Sequence, residues 1–264
     1  MKKTFLFLST LFLSAFILSA QEEYQRKTFI SSEGDSLQYR ILEPENMQAD
    51  EAYPLVLFLH GAGERGRDNN IQLAHGGKMF LNPANREKYP AFVIFPQCPP
   101  EGYWTFSGRP KSFLDMPGDE DQTPVMRTLK ELLDSYLANP NIDKSRIYVM
   151  GLSMGGMATY DLVSRFPEIF AAAVPICGAV KQGRLSAAKD VKFRIFHGDA
   201  DDIVPVECSR IAYRDLRKAG ADVEYIEFPG CNHGSWNPAF NYPDFMEWLF
   251  AQKKDAHRKN RKNR

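Results

Sequence analysis

Gly151-Leu152-Ser153-Met154-Gly155 joins two stretches of opposite character in this chain. Before it runs the apolar segment Arg146-Ile147-Tyr148-Val149-Met150, and after it a helical stretch continues through Gly156-Met157-Ala158-Thr159-Tyr160-Asp161-Leu162. A serine between a strand and a helix, flanked by glycines where the two backbones must pass closely, is the setting of a nucleophile held on a tight turn. Five residues with two free positions recur by chance. Weight comes from residues further along the chain: an acidic cluster, Asp199, Asp201 and Asp202, and then His233, in the order serine, acid, histidine.

On either side of this turn, short apolar runs recur at 37–42, 55–59, 91–95, 147–150, 171–176, 191–196 and 223–228. Helical spacing of apolar residues fills 125–137, 154–165, 206–219 and 242–253 between and after them. Nearly continuous apolar strands alternating with helices predict an α/β fold, a mostly parallel central sheet with helices on both faces, in one domain. The Pro/Gly-rich stretch 96–118 reads as a long loop over the sheet edge. In open sheets of this kind ligands bind beyond the C-terminal ends of the strands. His60-Gly61-Ala62-Gly63, Ser153, His197 to Asp202 and Asn232-His233 all follow strands, so the chemistry gathers on one rim.

The two ends read differently from the middle. Lys2-Lys3, an apolar stretch to Ile17, and Leu18-Ser19-Ala20 before Gln21-Glu22-Glu23 have the form of a secretory leader over 1–20, cut near Ala20. That places the product in the periplasm or outside the cell, with the folded domain over 21–252. Residues 253–264 carry seven Lys or Arg against Asp255 and read as a basic, solvated tail. The formal total is zero, so removing the +6 tail and the two leader lysines leaves −8 over 21–252. No nucleic-acid motif and no later membrane-spanning stretch is present.

The four cysteines, Cys98, Cys177, Cys208 and Cys231, are widely spaced with no CxxC, which argues against zinc. Buried free thiols and a bridge from Cys231 that fixes the histidine loop both stay open. The histidines are scattered and lack HExxH, so no metal and no dedicated cofactor is expected.

A serine hydroxyl attacks only when a base takes its proton. His233, in Gly230-Cys231-Asn232-His233-Gly234-Ser235-Trp236, is the expected base. His60 reads as a brace of its own turn and His197 as a local hydrogen-bonding residue. Asp202 reads as a cap for the next helix, and Glu64-Arg65 as an ion pair stiffening the turn. An oxyanion needs two backbone donors: Met154, directly after the nucleophile, and Ala62, with Gly63 next in line.

These residues resemble the α/β-hydrolase superfamily. Within it the chain looks like exported bacterial esterases grouped with phospholipase/carboxylesterase, polyhydroxybutyrate-depolymerase-like and feruloyl-esterase-like proteins. The resemblance rests on His60-Gly61-Ala62-Gly63-Glu64-Arg65-Gly66 with Asp68-Asn69, Phe95-Pro96-Gln97-Cys98-Pro99, Gly151 to Gly156, His197 to Pro205, and His233 to Trp236. It implies an α/β-hydrolase fold and selects Asp201 as the acid, four residues after His197 and four before Pro205. The implied activity is hydrolysis of small or carbohydrate-linked carboxylic esters through an acyl-enzyme. The alternatives are a peptidase using the same triad and an inactive scaffold that binds. Gln97, Trp104 and Trp236 are candidate substrate contacts.

Overall fold

The computed structural model describes residues 23–106, 108–116 and 122–254. Its frame is an eight-stranded sheet in the order β1-β2-β4-β3-β5-β6-β7-β8. The strands are β1 (Gln25–Ile30), β2 (Ser36–Leu42), β3 (Tyr53–Leu59), β4 (Phe92–Pro96), β5 (Ile142–Leu152), β6 (Ala172–Ile176), β7 (Lys192–Gly198) and β8 (Val223–Phe228). β1 pairs antiparallel with β2, and β2 with β4, while every pair from β4 to β8 is parallel. The helices are α1 (Gly77–Leu81), α2 (Pro83–Lys88), α3 (Pro124–Leu137), α4 (Met154–Arg165), α5 (Glu207–Ala219), α6 (Trp236–Phe240) and α7 (Phe245–Ala251).

Alternation along the central strands sorts the core into two layers. Leu55, Leu57, Leu59, Ile147 and Val149 point to the side covered by α3, α4 and α5, through residues such as Leu129, Ala158 and Leu216. Val56, Phe58, Tyr148, Met150 and Leu152 point to the side covered by α1, α6 and α7, through Phe80, Ala239 and Leu249. With both faces covered, these strands are buried along their length and carry the near-continuous apolar runs visible in the sequence.

Two expectations are corrected. β1 is an additional strand whose mostly polar, exposed residues lack an apolar run; as an edge strand carrying Arg26 and Lys27 it sets only Phe29 against the core. The single helix expected over 242–253 is instead α7, starting at Phe245, preceded by the separate α6. Pro243 has no N–H to donate and restricts Tyr242 before it, so no helix runs through that point. Among the described residues no helix is long and apolar enough to cross a membrane. The leader expected over 1–20 and nearly all of the basic tail lie outside the described residues.

Candidate active site

Ser153 stands between β5 and α4 with φ 53° and ψ −115°, a region that a residue with a side chain rarely occupies. Its N–H donates to the carbonyl of Ile176 on the neighbouring strand at 2.9 Å, which fixes the turn. The glycines make the turn feasible. A Cβ on Gly155 would lie 1.9 Å from the Leu59 carbonyl oxygen, so only a hydrogen lets α4 start this close to β3.

His233 lies in the loop between β8 and α6, its side chain 19% exposed. Ser153 Oγ is 2.9 Å from His233 Nε2, and His233 Nδ1 is 2.7 Å from Asp201 Oδ2 and 3.0 Å from Oδ1. Since a carboxylate only accepts, Nδ1 carries the proton and Nε2 is left to accept from the serine hydroxyl. The Asp201 side chain is fully buried. Burial by itself would raise its pKa. Hydrogen bonds from His197, His233 and the N–H groups of Val204 and Ile203 outweigh that and hold the carboxyl well below the usual carboxylate range. Asp201 is therefore a fixed anion opposite the imidazole.

His197 does more than bond locally. Its Nε2 lies 2.9 Å from the Val204 carbonyl oxygen and 3.2 Å from Asp201 Oδ2, so this nitrogen donates to both. Nδ1 then accepts from the buried Ser209 hydroxyl at 2.7 Å. A second imidazole thus supports the acid, a role the sequence signals only through the spacing of His197 and Asp201. The Asp202 side chain is exposed and α5 starts without a side-chain cap, contrary to the capping expected of it; Asp201 Oδ1 accepts from the loop N–H groups of Ile203 and Val204 at 2.9 Å each.

The turn after β3 lies against the nucleophile. The space a side chain on Gly61 would take is bounded by Leu152 Cδ1 (2.9 Å), Glu64 Oε2 (3.1 Å) and Ser153 Cβ (3.6 Å). Ala62 opens a 3-10 turn through Glu64, and Met154 is the first residue of α4, where backbone N–H groups have no intrahelical acceptor. His60 braces this turn from below, its Nε2 accepting from the Cys98 N–H at 3.0 Å and its Nδ1 donating to the Gly61 carbonyl at 2.6 Å. Burial pushes its pKa down to about 4, in keeping with a neutral ring used as both donor and acceptor.

The expected Glu64–Arg65 pair is not formed; the two side chains diverge. Arg65 donates to the carbonyls of Ala62 (2.9 Å) and Gly102 (3.2 Å) and lies over the Tyr103 ring at 4.7 Å. Glu64 faces His75, Oε1 to Nε2 at 3.5 Å. The His75 ring packs on Trp236 at 5.0 Å, and Trp236 meets His233 edge-on at 5.5 Å. Glu64, His75 and Trp236 therefore bridge the Ala62 turn and the base loop.

Of the candidate substrate contacts, only Trp236 borders the triad. Trp104 is 0% exposed, donating Nε1–H to the His60 carbonyl at 3.2 Å, and so supports the turn from inside. Gln97 is 2% exposed; its Oε1 accepts from the Asn69 N–H at 2.8 Å and its Nε2 donates to Asp68 at 2.7 Å. Both are structural because every polar atom that would meet a substrate is already engaged. All four cysteines are free, with Cys98, Cys177 and Cys208 buried and Cys231 partly exposed, so no bridge fixes the histidine loop. Cys177 stands just below it, its thiol 3.7 Å from the His233 carbonyl oxygen.

Serine, imidazole and carboxylate in this order, on a mostly parallel sheet, define a serine hydrolase of the α/β-hydrolase fold with a Ser-His-Asp triad. The chain belongs to the phospholipase/carboxylesterase family, whose model matches residues 42–242. It is 25% identical over 220 residues to a probable carboxylesterase of Oryza sativa subsp. japonica, covering 77% of this chain and 90% of that protein. The crystal structure of a thermostable esterase superposes with a TM-score of 0.80 at 36% identity, covering 89% of this chain and 64% of that one. A ferulic acid esterase from Anaeromyces mucronatus shares the fold, with a TM-score of 0.62 at 14% identity over 84% of this chain and 89% of that one.

Proposed function

We propose that this protein is an exported carboxylic-ester hydrolase that works through an acyl-enzyme on small esters or on esters carried by carbohydrate. The observation that carries the proposal is the unbroken line from Ser153 Oγ through His233 to the buried Asp201 anion. His233 takes the serine proton as Oγ attacks the ester carbonyl, and Asp201 stabilises the imidazolium so formed. The N–H groups of Ala62 and Met154 receive the developing oxyanion. The carbonyl re-forms as His233 returns the proton to the departing alcohol. Water, activated by the same histidine, then releases the acid and restores Ser153.

Export rests on the leader-like residues 1–20, and a carbohydrate-borne ester suits an enzyme working outside the cytoplasm. Relatives of this chain include a bifunctional acetylxylan esterase/xylanase of Neocallimastix patriciarum, 28% identical over 172 residues that cover 65% of this chain and 22% of that protein, which supports that substrate class. The test is a panel of short activated esters, acetylated xylan, feruloylated arabinoxylan and peptide anilides, run with the wild type and Ser153→Ala. Ester turnover is expected to fall by roughly four or more orders of magnitude in the variant. Faster cleavage of the anilides by the wild type would replace the esterase reading with a peptidase one.

A further inference from the structure

A cleft of about 1170 Å³ contains no triad residue. It lies on the same rim nonetheless. Gln97, just past β4, donates its N–H to the Gln38 carbonyl at 2.8 Å, and both residues line the cleft. Since β4, β3 and β5 run parallel in adjacent positions, the ends of β4 and β5 are about 10 Å apart along the sheet edge. The loop from the Ala62 turn continues directly into the cleft wall at Gly66 and Arg67. Arg65 ties the two regions together, holding Ala62 with one nitrogen and lying over Tyr103, another wall residue.

The lining specifies the kind of ligand. Tyr103 and Phe106 supply half-buried aromatic rings. Thr28, Asp35, Ser36 and Gln122 add polar side chains that have no hydrogen-bond partner among the described residues. Two enclosed polar atoms in the wall, Gln38 Oε1 and Thr105 Oγ1, also lack a partner, although most buried polar groups have one. The cation in the lining, Arg67, is paired with Glu101, and Asp35 leaves the cleft negative, which disfavours an anion. A purely apolar chain would strand the polar groups. Aromatic rings combined with uncharged donors and acceptors and one carboxylate outside the Arg67–Glu101 pair suit a neutral, hydroxyl-rich ligand, and the volume exceeds the roughly 300–1,000 Å³ of a site for one drug-sized molecule.

We propose that this cleft is a glycan subsite, holding a neutral oligosaccharide whose ester-bearing unit reaches Ser153. The assignment rests on the esterase reading for its purpose, but its test needs no turnover. Full-length Ser153→Ala protein is titrated calorimetrically with xylohexaose and cellohexaose, with hexagalacturonate and a neutral hexapeptide as comparisons. At least one neutral sugar is expected to bind with a Kd below about 1 mM. Tyr103→Ala and Asp35→Ala, each added to that protein and checked for an unchanged circular dichroism spectrum, are expected to weaken binding about tenfold or more. Absence of sugar binding, tighter binding of hexagalacturonate or the peptide, or unchanged affinity in either variant would overturn the proposal. Failure of the sugar to bind while small esters are still cleaved removes the cleft assignment alone; binding without any ester turnover removes the esterase reading alone.

Discussion

The Nε2 atom of His197 lies 3.2 Å from Oδ2 of Asp201, so the acid of the triad is held by two imidazoles and not by one. Only His233 faces Ser153; His197 faces the buried side, tied to Val204 and Ser209. The anion is thereby fixed in position before any substrate arrives. Asp201→Asn should reduce kcat about 10⁴-fold by presenting the wrong hydrogen-bonding partner to His233, while Asp202→Asn should stay within a few-fold. His197→Leu removes a bond to a charged group, worth about 1.5–3 kcal/mol, and should cost roughly ten- to a hundredfold in kcat/KM. His197→Gln, which keeps a donor, should recover much of that loss. Steady-state kinetics on one activated ester compares all four, and equal activity of the Leu and Gln variants would leave His197 without a positioning role.

Glu64 and His75 should act on the rate and not on substrate binding. They link the Ala62 turn to Trp236 and through it to His233. Glu64→Gln is expected to lower kcat about tenfold with little change in KM, the pattern of a donor misplaced only for the transition state. His75→Gln should produce a smaller loss of the same kind. A rise in KM at constant kcat would mean that the pair meets the substrate directly.

The close contact of α4 with β3 gives a sharp stability prediction. Gly155→Ala would set a methyl group 1.9 Å from the Leu59 carbonyl oxygen and 2.5 Å from its carbon, both backbone atoms. Its cost should exceed the ~0.5–3 kcal/mol of an ordinary substitution, and urea unfolding or loss of soluble protein measures it. Near-native stability would show that the helix start can shift without harm.

His60 makes stability depend on pH. Its pKa is near 4 in the folded protein, below the histidine value of 6.5, because burial disfavours the charged ring. The unfolded chain therefore takes up the proton first. Stability from this group is complete above about pH 6.5 and declines as pH falls toward 4. Between pH 7.5 and 5 the loss should be about 2 kcal/mol, and His60 should show no ring titration above pH 5 by NMR. A His60 titration centred at 6 or higher would contradict a buried neutral brace.

Thiol labelling checks the cysteines. Burial pushes Cys98, Cys177 and Cys208 up to about 12, while Cys231 is partly exposed on the histidine loop. A thiol reagent should label one cysteine rapidly in the native protein and all four after unfolding. Fewer than four in the unfolded, unreduced chain would reveal a disulfide.

Much of this molecule is legible along the chain because its signals are local. The apolar runs mark β2 to β8, and the Gly151–Gly155 pattern marks the turn where β3, β5 and α4 converge. The order of Ser153, Asp201 and His233 points to one reaction because chain order in this fold follows the order of the strand ends. Edge strand β1 escapes such reading, since a strand that sets a single residue, Phe29, against the core has no apolar period.

Other features belong to the folded arrangement alone. Trp104 and Gln97 have residue types suited to a substrate, and only their burial against His60 and Asp68 makes them supports. Glu64 has Arg65 beside it in sequence but pairs with His75, because the turn at Ala62 sends the two side chains in opposite directions. Residue identity and spacing along the chain set the nucleophile, the base and the fold that carries them. Which polar groups remain free for a ligand depends on packing between distant segments, because hydrogen bonds across the fold consume donors and acceptors that look available in the sequence.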